Sequence, residues 1–192
     1  MSQIKISNLT FAWPGSPDNV FEDVNLTLDT DWKLGLVGRN GRGKTTFLKL
    51  LAGGLAYIGS IQAVASFAYF PYEPLEAPAT RGSLRLIMPQ ALDWQLEREL
   101  SLLEVRADVL DRPISTLSPG ERAKVLLAAL FAGDDRFLLI DEPTNHMDAQ
   151  GRRQLGRYLS GKKGFILVSH DREILDASTD HTLSINRADI TL

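Results

Sequence analysis

Nine residues in a row, Gly38-Arg39-Asn40-Gly41-Arg42-Gly43-Lys44-Thr45-Thr46, join glycines, a lysine and hydroxyls at a spacing suited to gripping phosphate. The glycines let the backbone turn sharply and aim its N–H groups at phosphate oxygens. Lys44 would set a compact ammonium between β- and γ-phosphates, and the Thr45 hydroxyl would reach Mg²⁺. A helix opening near Lys44 adds the positive end of its dipole. The competing reading is a glycine-rich turn with a solvated lysine.

Further chemistry-bearing residues stand later in the chain. Asp141 and Glu142 follow the apolar run 137–140, at the carboxyl end of an expected strand, where open α/β sheets bind ligands. Asp141 would hold Mg²⁺, directly or through water, and Glu142 could accept a hydrogen bond from the water that attacks the γ-phosphate. Glu142 reads equally as an exposed residue starting a turn. Ser118, Gly120 and Glu121 open a helix: Ser118 as N-cap, Pro119 at the first turn and Glu121 closing a capping box. The same serine, glycine and helix N-terminus would also make a second phosphate site. His170 lies just past a further strand, either as an ordinary surface histidine or as a γ-phosphate contact.

Positioning these groups requires alternating strands and helices. Residues 33–37 read as a buried strand before the glycine loop, and 47–52 as the helix after it. Alternating apolar residues over 3–13 and 24–28 predict an antiparallel sheet edge, with a turn at 14–19. Strands are expected over 57–62 and 66–70, then helical periodicity from 81 to 111, with Pro89 restarting the helix. Next come a helix over 119–132, a strand over 137–141, a helix over 149–159, a strand over 165–168, a short helix after Asp171 and a last strand over 182–185. The pattern is α/β with a mostly parallel central sheet.

Composition bounds the rest. A chain of 192 residues with 44% apolar content can bury a full core as one domain. Its net charge of −3 argues against a generally basic nucleic-acid surface, and the lack of cysteine excludes disulfides and thiolate metal sites. The cysteine-free composition makes a reducing cytoplasm the expected setting, and with no run of about 18 apolar residues direct membrane insertion is not expected.

Taken in order, these motifs resemble the nucleotide-binding domain of the ABC ATPase superfamily. Residues 38–45 match its Walker A loop, 117–121 its signature, 137–142 its Walker B strand with the catalytic glutamate, 145–148 its D-loop and His170 its switch histidine. The resemblance implies a P-loop NTPase fold, ATP and Mg²⁺ as ligands, and ATP hydrolysis with Glu142 and His170 catalytic. It implies an ATP contact for Trp13, which looks like the aromatic that stacks on adenine, though a sheet-edge core residue is the rival reading. It also makes Ser118, Gly120 and Glu121 act on a facing second domain's nucleotide, with Asp148 in the D-loop, so a monomer should turn over ATP weakly or not at all. The runs Gly38–Thr46, Asp141–Asp148 and 169–175 look most like ABC-F proteins, which carry two such domains and act on ribosomes as translation factors or antibiotic-resistance proteins.

On that resemblance the chain is expected to be the N-terminal domain of a longer protein, ending before an interdomain linker. Its core would be 1–76 and 117–192, with a helical subdomain over 77–116. Its partner would be a second such domain in the same chain or a second copy. The alternative is the ATP-binding subunit of a membrane transporter. Two positions depart from the family pattern: Tyr72 stands where a glutamine is usual, and Pro119 replaces the first signature glycine, removing a backbone N–H.

Overall fold

The computed structural model describes residues 2–74, 77–133, 136–186 and 188–192. Strand β3 (Lys33–Val37) runs through the middle of a six-stranded sheet. Its neighbours are β7 (Phe165–Val168) and β8 (His181–Ile185), both parallel to it. Beyond β7 lie β6 (Arg136–Asp141) and β5 (Ser66–Phe70), again parallel, and β9 (Ile190–Thr191) closes the other edge antiparallel. Such a sheet must be covered on both faces, which is why the runs 137–140 and 165–168 are apolar throughout.

The two faces feed two cores, with the sides alternating along each strand. Phe137, Leu139, Ile166 and Val168 face helix α1 (Lys44–Leu51), whose Phe47, Leu48 and Leu50 are fully or almost fully buried. On the far side of α1 lies a separate three-stranded antiparallel sheet in the order β2 (Phe21–Asp29), β1 (Gln3–Phe11), β4 (Ile58–Ala63). Its Ile4, Ile6, Phe21 and Val24 complete that core. The antiparallel part expected from alternation is thus a second layer that clamps α1. It is not an edge of the main sheet.

Leu138, Ile140, Phe165 and Leu167 point the other way, toward α4 (Pro119–Ala132), α5 (Ala149–Ser160) and α6 (Arg172–Ser178). The insert between β5 and α4 adds α2 (Thr80–Ile87), α3 (Asp93–Leu102) and two short 3₁₀ turns, Ala107–Asp111 and Ile114–Thr116. Its buried Leu84, Leu96, Leu100, Val109 and Ile114 join this same cluster and build no core of their own. Of the expected boundary at 76/77, Glu76 lies outside the described residues.

Within the insert the first helix ends at Ile87, in keeping with the expected restart at Pro89, but regular α-helix does not continue to 111. The Gln95 side chain accepts the Leu92 N–H at 2.8 Å, so the second helix starts at Asp93. It stops at Leu102, and Glu104 then takes a left-handed φ of 56°.

A charged seam ties α3 to α5 and the residues just past it. Glu99, fully buried, takes hydrogen bonds from Tyr158 at 2.6 Å, from Arg98 at 2.9 Å and from Lys162. The Lys162 ammonium also lies 4.6 Å from the Tyr158 ring centre and 5.3 Å from that of Phe131. Burial pushes the Glu99 carboxyl up, but the bonds from Lys162, Tyr158 and Arg98 outweigh it and leave it below its ordinary value of 4.5. A carboxyl held below its unfolded value adds stability above pH 4.5 that is lost as pH falls through the folded value. Urea unfolding should therefore show stability declining below that pH, and the decline should shrink in Glu99→Gln. Lys162→Met strips the main cation from a buried carboxylate and should cost roughly 3 kcal/mol in the same experiment at pH 7.

Candidate functional site

The carboxyl ends of β3, β6 and β7 emerge side by side, so the segments leaving these strands converge on one edge of the sheet. Between β3 and α1, the loop turns through Gly38, Gly41 (φ 77°) and Gly43 (φ 95°). A Cβ at Gly43 would stand 2.7 Å from Val20 Cγ1 and 3.0 Å from Phe21 Cζ, so both backbone angle and space demand glycine. Gly43 is the N-cap of α1 and offers no side chain, which leaves the first N–H groups of the helix without a side-chain cap. The Lys44 ammonium lies back across the loop, donating to Gly38 O at 2.8 Å and Arg39 O at 3.4 Å.

Opposite the loop, Asp141 ends β6 almost fully buried. Its Oδ2 accepts from the Thr45 hydroxyl at 2.7 Å and from the Tyr69 hydroxyl at 2.9 Å. Its Oδ1 is buried with no partner among the described residues. Glu142 comes next with φ 49°, a strained value for a side-chain-bearing residue, held because its N–H donates to Val168 O at 2.9 Å. Its Oε2 accepts the His170 N–H at 3.2 Å. His170 Nε2 is 3.2 Å from Glu142 Oε1 but out of line for a hydrogen bond, so that oxygen too lacks a hydrogen-bond partner among the described residues.

These groups line one cleft of about 460 Å³, with Trp13, Val20, Asn40, Gly41, Gly43, Lys44, Thr45, Thr46, Asp141, Glu142 and His170 in its wall. Trp13 is 45% exposed and meets Phe11 edge-on at 5.1 Å, so it stands at the rim as well as against the sheet core. Gly38, Arg39 and Arg42 belong to the same loop without lining the cleft.

The structure does not bring Ser118, Gly120, Glu121 or Asp148 to that cleft. Ser118 closes the expected capping box: its Oγ accepts the Glu121 N–H at 3.2 Å and donates to Glu121 Oε2 at 2.8 Å. The capping contacts from the Ser118 N–H and hydroxyl hold the Glu121 carboxyl below its usual range. Asp148 caps α5, accepting from Gly151 N at 2.7 Å. The two segments abut, since a Cβ at Gly120 would come within 3.6 Å of His146 O.

Tyr72 turns away from the cleft. It packs on the core beside α4, and its hydroxyl donates to Leu126 O at 3.2 Å. Next to it Glu73 takes a 2.7 Å bond from Arg122. Two residues of the site are silent in the sequence. Val20, in the cleft wall, sits in a segment with no regular pattern, and Tyr69, behind Asp141, reveals itself only through its pairing across the sheet.

A glycine loop between a central parallel strand and a helix, facing acids at the end of a nearby strand, defines a P-loop nucleotide-binding domain. The chain belongs to the ABC transporter family, whose model matches residues 21–145. Over 195 residues it is 29% identical to ABC transporter F family member 2 of Arabidopsis thaliana, covering 96% of this chain and 28% of that protein. Over 188 residues it is 31% identical to the ribosome protection protein VmlR of Bacillus subtilis (strain 168), covering 95% and 34%. The chain thus spans about a third or less of the length of these relatives. Among solved structures it resembles the dimeric MJ0796, a bacterial ABC transporter cassette, with a TM-score of 0.82 over 98% of this chain and 97% of that one. At 16% identity that likeness carries the fold alone. Among the described residues no helix is long and apolar enough to cross a membrane.

Gly43→Ala should lower stability by about 2 kcal/mol and the melting temperature by about 4–8 °C, from left-handed strain plus the clash with Val20. Differential scanning calorimetry against Gly41→Ala, where a Cβ meets open space, separates the two contributions.

Proposed function

We propose that this chain binds and hydrolyses ATP as one nucleotide-binding domain of an ABC-F type protein that acts on the ribosome. The observation that carries the ATP reading is the Lys44–Thr45–Asp141 arrangement: a phosphate loop and a strand-end carboxylate joined by a 2.7 Å hydrogen bond. The residues fit Mg²⁺. The bare, buried Oδ1 of Asp141 and the Thr45 hydroxyl are hard oxygen donors of the kind that cation takes, and both would hold it. When bound, the cation neutralises charge on the phosphate oxygens.

The chain's own groups do the rest. Lys44 gives up the Gly38 and Arg39 carbonyls for β/γ-phosphate oxygens, and the uncapped N–H groups at the start of α1 take others. Trp13 offers a ring face to the base. Glu142, already aimed by two backbone contacts, orients the attacking water and accepts its hydrogen, while His170 lies beside the incoming charge.

Pairing supplies the remainder. Ser118 and the α4 N-terminus lie outside the cleft, and we assign them to the γ-phosphate held by a second domain of this kind, with Asp148 beside them. That partner belongs to the same full-length protein or to a second copy. The ribosomal assignment draws on the names of the relatives, which include a ribosome protection protein. Cosedimentation of the full-length protein with ribosomes, and not with membranes, is its test.

Calorimetric titration with magnesium-ATP tests the site. Wild type should bind, Lys44→Ala should bind at least tenfold more weakly for the loss of a charge-assisted bond worth about 1.5–3 kcal/mol, and Glu142→Gln should keep wild-type affinity. In the paired, full-length protein Glu142→Gln should lose about 10²–10⁴ of the turnover rate. No heat from wild type would overturn the ATP reading.

A further inference from the structure

We propose that Tyr69 is a positioning residue for the divalent cation, fixing which oxygen of Asp141 faces the metal. The inference rests on the ATP reading of this site.

β5 and β6 pair in parallel, with Tyr69 opposite Leu139, two residues before Asp141. From there the Tyr69 hydroxyl reaches Asp141 Oδ2 at 2.9 Å, the same oxygen that Thr45 occupies at 2.7 Å. Two donors on one oxygen hold the carboxylate against rotation about its Cβ–Cγ bond. All the bonding therefore falls on Oδ2, and Oδ1 is left buried and bare. A bare, buried carboxylate oxygen is costly unless something cationic or a donor meets it, so the arrangement keeps its free acceptor for a cation.

Thr45 alone cannot do this. Its hydroxyl can donate to Asp141 while its lone pairs face a cation, but a single bond leaves the carboxylate free to swing. Tyr69 supplies the second donor from a ring that is half-buried against the core on the α1 side of the sheet, which holds its hydroxyl in place. Tyr69 does not line the cleft, so it acts through Asp141 and has no contact with nucleotide. Tyr72, whose hydroxyl is spent on Leu126 O, provides the matched control on the same segment.

The test compares wild type, Tyr69→Phe and Tyr72→Phe in the full chain, reading ATP affinity by calorimetry in EDTA and Mn²⁺ binding to the ATP-loaded protein by its electron paramagnetic resonance signal. In Tyr69→Phe, metal-free ATP affinity should stay within about twofold of wild type while the Mn²⁺ midpoint rises roughly tenfold, the scale seen when an outer-shell partner is lost. Tyr72→Phe should move neither. An unchanged Mn²⁺ midpoint in Tyr69→Phe overturns the assignment. So does a parallel loss of metal-free ATP affinity, which marks a hydroxyl that only holds the cleft together. Failure of wild type itself to bind ATP sinks the ATP reading, whereas normal wild-type binding with an unaltered Tyr69→Phe sinks only this proposal.

Discussion

Burial of β3 between β7 and β8, with apolar layers on both faces, is the constraint that places the site. A strand paired on both edges and covered on both sides cannot shift register without exposing Leu34 or Leu36, each fully buried. Its carboxyl end is therefore a fixed point, and the loop at Gly38 starts from it. The same packing fixes the ends of β6 and β7, which deliver Asp141 and His170 to the same edge. The loop sets Lys44 and Thr45, but the carboxylate that Thr45 meets is set by the sheet.

The second layer does a different task. The antiparallel sheet presses α1 from behind through Phe21 and Val24, and Phe21 meets Phe47 edge-on at 5.9 Å. Phe21 and Val20 also fill the space that a side chain at Gly43 would need. One segment thus anchors the helix, forbids bulk at its cap and contributes Val20 to the cleft wall. The insert is integrated in a comparable way. The Glu104 carboxylate takes bonds from Gln154 at 2.5 Å and Arg157 at 2.7 Å, while Lys124 of α4 donates to Gln154. The end of α3, α4 and α5 therefore share one polar junction beside their shared apolar core.

Much of this was legible in the chain because the informative residues are contiguous. A strand, glycines, Gly43-Lys44-Thr45 and a helix form one local unit, and four apolar residues running into Asp141-Glu142 form another. The helix over 119–132 was bounded at both ends by its own chemistry, with Ser118 capping it, Pro119 at its first position and Gly133 just past its end. What the sequence hid was pairing at a distance. Tyr69 and Asp141 are 72 residues apart, and only the parallel register of β5 on β6 brings them into contact. The separation into two sheets was hidden for the same reason, since alternation marks a strand without naming its neighbour. In the insert, leucine spacing and Pro89 marked the break between α2 and α3, but nothing in the spacing marked the stop at Leu102, where Glu104 turns into a left-handed φ of 56°. Ser118 remained ambiguous because a helix cap and a phosphate ligand call on the same hydroxyl.

Lys44, lying across Gly38 O and Arg39 O, gives the loop an internal counter-charge. The bend is thus already shaped around a cation of its own. An anion that drew the ammonium away from those two carbonyls would do so by turning a flexible four-carbon arm. The entrance would then work as a latch whose bolt and receiver belong to the same short segment.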